Sequence, residues 1–113
     1  MECPPRGSVK LNFDGSLHYS SAAGGFIIRD WAGKLIKAGA VSYGDASILV
    51  AEAQALRDGL HEAAKLGIKN ILIEGVNALV IKALQGTLCT PWKIQTLLHD
   101  ISRYVSLIDH VTN

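Results

Sequence analysis

The sequence predicts an α/β fold: a mixed five-stranded sheet with flanking helices. Three features carry that expectation. Residues 9–14 alternate apolar and polar side chains, the period of a half-buried strand. Residues 47–66 place apolar side chains three and four apart, the period of a helix. The elements follow in the order β-β-β-α-β-α-α-β, and a meander followed by strand–helix–strand units builds a mixed sheet with helices on its faces.

The segment CPPRGS is linker-like, because two prolines and a glycine propagate neither a helix nor a central strand. The first strand spans about Val9 to Asp14, with Val9, Leu11 and Phe13 on one face and Lys10, Asn12 and Asp14 on the other. The stretch LHYSSAAGG reads as a turn. Phe26, Ile27 and Ile28 begin a second strand that runs to Arg29, DWAG makes the hairpin turn, and Leu35 to Val41 return. The helical stripe is Leu49, Ala53, Leu56, Leu60 and Ala63, with Asp45 or Ser47 as the cap and Gly67 as the C-terminal stop. Residues 68–74, IKNILIE, alternate little, as a buried parallel strand should. Asn77 to Leu84 reads as a short helix, Pro91 opens another over Trp92 to Tyr104, and Val105 to Val111 forms a last strand.

Composition bounds the function. The chain has 113 residues, 49% hydrophobic, enough for one domain with a single core and too apolar for disorder. Residues 1–113 are expected to form that one domain, with a linker-like start over 1–8. A net charge of +1 gives no general pull toward nucleic acid or membrane. The basic residues Arg29, Lys34, Lys37, Lys65, Lys69, Lys82 and Lys93 are spread along the chain. Cys3 and Cys89 have no metal-like spacing and suit a reduced chain. MECPPRGS contains no apolar signal segment and no run reaches membrane length, so an intracellular, non-secreted protein is expected.

Two acids stand out. Asp14 ends the first strand just before Gly15. Its ordinary reading is a turn aspartate accepting a backbone N–H. Glu52 lies in LVAEAQAL, about 60° from the centre of the apolar stripe on a helical wheel. A charge there either snorkels to water or needs a partner, and a divalent cation shared with Asp14 would serve. Trp31 and Trp92 suit packing or base stacking. Of His18, His61, His99 and His110, only His110 is expected to lie toward such a site.

In this order and spacing, PPRGSVKLNFDGS, GGFIIRDWAGKLI, AEAQALRDGLHEAAKLGIKNILIEG, PWKIQTLLHDI and the terminal HV resemble the ribonuclease H fold family, in particular its plant, retroelement-related branch. The resemblance covers almost the whole chain. It implies an endoribonuclease that cuts the RNA strand of an RNA–DNA hybrid with two Mg²⁺ (or Mn²⁺) ions held by four carboxylates. Asp14 matches the first ligand and Glu52 the second. Gly15, Ser16 and Asn77 match positions that face the nucleic acid, where 2′-hydroxyls and phosphates are contacted.

The chain departs from the family at the other two ligands. Val76 stands where the third carboxylate belongs, and a valine has no lone pair for a metal. The fourth belongs to a C-terminal helix that follows the HV pattern, and the sequence ends at Asn113. Glu74 shares a face with position 76 but matches a family glutamate with another role, and Asn77 offers only a neutral amide oxygen. A weak or absent metal and little or no catalysis are therefore expected. The lack of that helix is expected to leave apolar surface or an open edge, and with it homo-oligomerisation. Three functions follow: a hybrid ribonuclease, a binding module that has lost catalysis, or a non-catalytic interaction fragment of a retroelement-derived protein.

Overall fold

The structure, a computed structural model, describes residues 7–18, 21–45, 48–75, 92–108 and 110–112. It contains strands β1 (Val9–His18), β2 (Ser21–Asp30), β3 (Leu35–Asp45), β4 (Asn70–Gly75) and β5 (His110–Thr112), and helices α1 (Ile48–Lys65) and α2 (Trp92–Ser106). The strands form one sheet in the order β3-β2-β1-β4-β5. The first three pair antiparallel, and β4 is parallel to both β1 and β5. This is the expected mixed sheet. The short helix expected over residues 77–84 lies outside the described residues.

Two expectations need correction. The stretch LHYSSAAGG is mostly strand: β1 runs on to His18 and β2 starts at Ser21, because the two pair without interruption from Val9↔Asp30 to His18↔Ser21. Backbone pairing overrides the weak strand propensity of Ser, Ala and Gly. The last strand begins later than expected, since Val105 and Ser106 complete α2 and, among the described residues, 110–112 are the ones that pair with β4.

The core forms where the apolar face of β1 meets α1. Val9, Leu11 and Phe13 pack with Phe26 and Ile28 of β2, Ile71 and Ile73 of β4, and Leu56 and Leu60 of α1. Leu11, Ile28, Leu56, Leu60 and Ile101 are fully buried, each contributing about 1.5–3 kcal/mol by removal from water. Helix α2 packs on α1 through Leu97 and Ile101. Gly59 lets Leu11 sit directly on α1, since a Cβ there would lie 2.6 Å from Leu11 Cδ1.

Helix α1 ends as its sequence dictates. Gly67 has φ +73°, donates its N–H to Ala64 O at 3.1 Å, and Ile68 N–H reaches Ala63 O at 3.1 Å. This Schellman closure satisfies carbonyls that the helix end would leave bare. At the other end, Asp45 belongs to β3 rather than capping the helix, and Ser47 lies outside the described residues.

Candidate functional site

Asp14 follows Phe13, which pairs in parallel with Gly75, the last described residue of β4. On its other side β1 remains paired, with Asp14 opposite Gly25. The Asp14 side chain is exposed, and its Oδ1 accepts the N–H of Gly15 at 2.9 Å. The local turn-like hydrogen bond is thus present, but inside a continuing strand.

Gly15 brings Glu52 to the same place. Alternation turns Gly15 toward α1, where a Cβ would lie 2.8 Å from both Glu52 N and Glu52 Cγ and 3.1 Å from Ala51 C. Only a residue without a side chain lets β1 settle this closely on the helix. Glu52 is 2% exposed, so it does not snorkel. Ala51, Ala53 and Ala55 beside it are fully buried, which is how the helix approaches the sheet. The two acids are therefore neighbours across Gly15, one exposed on the open face of the sheet and one buried at its helical side.

Glu74 is committed elsewhere. Lys10 Nζ lies 3.1 Å from Glu74 Oε1, and Asn12 Nδ2 donates to Oε2 at 3.2 Å. The lysine contact is a charge contact rather than an aligned hydrogen bond. Lys10 holds the Glu74 carboxyl below the usual carboxylate range, the Asn12 bond adds to this, and partial burial opposes it. Both oxygens have protein partners, so ligating a metal would require breaking them. Lys10 and Asn12 were not among the residues expected to act here. Their signal was present: they share the alternating face of Asp14, and a parallel β4 puts Glu74 opposite Asn12. The burial of Lys10, only 5% exposed, had no sequence signal.

The remaining candidates divide. Ser16 is exposed two residues beyond Asp14, on the same face. Val76 and Asn77 lie outside the described residues. His110 does not join the site: it pairs with Asn70 at the start of β4, five residues from Gly75, or about 16 Å along the strand. The parallel register of β5 with the beginning of β4 puts it at the far end of the sheet. Among the described residues, no three His, Cys, Asp or Glu side chains gather around a common point. Asp14 and Glu52 are carboxylates, the hard oxygen donors that a divalent cation of the Mg²⁺ type prefers.

A cleft of about 820 Å³ opens on the sheet face that carries Asp14. Asn12, Asp14 and Glu74 line it together with Gly25, Ile27, Ala38 and Ala40. No helix among the described residues is long and apolar enough to cross a membrane.

The family model described as reverse transcriptase-like matches residues 12–112. No sequence among curated proteins matches the chain. Among solved structures, ribonuclease H1 from the halophilic archaeon Halobacterium salinarum is 26% identical, with TM-score 0.83 over 93% of this chain and 82% of that one. The N-terminal ribonuclease H domain of a Mycobacterium tuberculosis protein, fused to maltose-binding protein, superposes with TM-score 0.87 at 20% identity, over 93% and 78% of the two chains. LC11 ribonuclease H1 in complex with an RNA/DNA hybrid superposes with TM-score 0.82 at 17% identity, over 93% and 82%. The chain belongs to the reverse transcriptase-like family and is a ribonuclease H-like domain.

Proposed function

We propose that this domain binds nucleic acid, specifically an RNA–DNA hybrid, at the Asp14–Glu52 end of its sheet, and hydrolyses it little or not at all. The observation that carries this reading is the seat of Gly15 on Glu52, which sets Glu52 against β1 at the residue next to Asp14, while Glu74 stays locked to Lys10 and Asn12. A similar structure, LC11 ribonuclease H1, is in complex with an RNA/DNA hybrid, which supports the choice of ligand. Asp14 and Glu52 would hold one Mg²⁺ or Mn²⁺ weakly, and such an ion supplies positive charge to a phosphate oxygen when bound. Gly15, Ser16 and Asn77 would meet the sugar–phosphate backbone, and a 2′-hydroxyl contact would favour RNA over DNA.

The incomplete carboxylate set rests on Val76, which offers no donor at the third position. Binding should therefore outlast catalysis. The test is fluorescence anisotropy of a labelled blunt hybrid at low salt. Binding that weakens steeply with salt supports the reading, and an absence of binding at 50 mM salt or less contradicts it.

A second reading, a non-catalytic interaction module of a retroelement-derived protein, is favoured by the cleft on the open sheet face. Its lining of Gly25, Ile27, Ala38 and Ala40 is apolar, a surface on which another chain can pack. In that reading the domain self-associates through this face.

A further inference from the structure

The β2–β3 hairpin gathers charges that look scattered in the sequence. Arg29, Lys34 and Lys37 are all exposed on it, within nine residues of chain. Among the described residues none of the three makes an ion pair; the two ion pairs join Lys10 to Glu74 and Arg57 to Asp58. The acid at the hairpin's tip, Asp30, is used inside the turn. Its carbonyl accepts Gly33 N–H at 3.0 Å, and its Oδ1 accepts the N–H groups of Ala32 at 2.9 Å and Lys34 at 2.8 Å. The turn is thereby held in one shape. Trp31 stands on it with 40% of its surface exposed.

This tip communicates with the Asp14 end along one face. Gly25 pairs with Asp14, Ile27 with Asn12 and Arg29 with Lys10, so Arg29 shares the face of Asp14, while Lys37, opposite Ile28, lies on the other face. The offset is four residues, about 14 Å, and Trp31 lies about 20 Å away. Between them the surface is the apolar lining of the cleft, including Ile27. An exposed aromatic ring among unpaired cations is the arrangement that holds single-stranded nucleic acid: the cations track phosphates and the ring stacks on a base.

We propose that the β2–β3 hairpin is a second nucleic-acid contact, which holds single-stranded nucleic acid flanking a hybrid seated at Asp14. The proposal rests on the hybrid-binding reading above. At about 3.4 Å of rise per stacked nucleotide, the 20 Å span corresponds to about six nucleotides.

The test compares a blunt RNA–DNA hybrid with the same hybrid carrying a ten-nucleotide overhang, at each end in turn. The probes are bound by the unaltered protein, by Trp31→Ala, and by the triple variant Arg29→Gln, Lys34→Gln, Lys37→Gln. All four side chains are exposed, and circular dichroism checks that the variants fold. The unaltered protein should bind one overhang hybrid about 10-fold tighter than the blunt one, a gain lost in Trp31→Ala. In the triple variant the salt dependence of overhang binding should fall by about 1.4 units of logarithmic slope, from Arg29 and Lys34 at about 0.7 for each single-strand phosphate contact. Both variants should bind the blunt hybrid as the unaltered protein does. A gain that survives both variants overturns the proposal and leaves Leu35 and Ile36, also exposed on this hairpin, to a protein partner. No gain for either overhang overturns it as well. Failure of blunt binding with the overhang effect intact removes the hybrid reading and leaves the hairpin contact standing.

Discussion

Gly15→Ala is the substitution that most directly perturbs the juxtaposition of Asp14 and Glu52. A Cβ at this position would lie 2.8 Å from Glu52 N, about 0.6 Å inside ordinary contact. The obstacle is backbone, so no rotamer change relieves it. Either β1 lifts from α1 or the helix shifts, and both movements disturb a contact between buried elements. Overpacking of this kind costs about 1–3 kcal/mol, or a fall in melting temperature of about 4–12 °C for a domain of this size. The assay is thermal unfolding by circular dichroism, paired with hybrid binding by anisotropy. Gly67→Ala serves as the comparison: nothing lies within 4 Å of its Cβ, but its φ of +73° imposes a strain of about 1 kcal/mol at the far end of α1. It should lower the melting temperature and leave hybrid affinity alone. Gly15→Ala should lower both. A Gly15→Ala protein with unchanged melting temperature would refute the close seating of β1 on α1.

Further outcomes follow from the same geometry. Glu74→Gln should destabilise by about 1 kcal/mol at neutral pH, a modest figure because the side chain is 44% exposed. The folded state holds the Glu74 pKa below its ordinary value of 4.5, so this contribution is present above that pH and disappears as pH falls through the lowered value. Urea midpoints of the two proteins should therefore differ at pH 7 and converge in acid; an equal gap at both ends contradicts the ion pair. On the proposed reading of position 76 as the third ligand position, Val76→Asp should raise hybrid cleavage in Mn²⁺ at least 10-fold over the unaltered chain, read on a denaturing gel. Light scattering should give a mass above the 12.1 kDa of one chain at high concentration, and a monomer mass there rules out self-association through the open sheet face.

The local rules were legible wherever one residue type had one use. The alternation of VKLNFD placed Asp14 on the face opposite the core, and Gly67 stopped α1 as read. The extent of β1 and β2 was not legible, because Ser, Ala and Gly residues become strand only when a partner pairs with them. Gly15 reads locally as a turn glycine; its use in admitting Glu52 depends on a helix that begins more than thirty residues later. Lys10 reads as a solvated lysine, and its burial against Glu74 depends on the parallel register of β4. For His110, position in the chain suggested nearness to Asp14, but the register of β5 with the start of β4 decides otherwise.

The most direct test of the central claim follows a labelled RNA–DNA hybrid with the unaltered protein and with Asp14→Asn, in Mg²⁺ and then Mn²⁺, scoring retention and cleavage on the same samples. The account predicts retention of the hybrid by the unaltered protein, with no cleavage above that of Asp14→Asn. Cleavage that disappears in Asp14→Asn would contradict it, because a reduced carboxylate set would then suffice for hydrolysis.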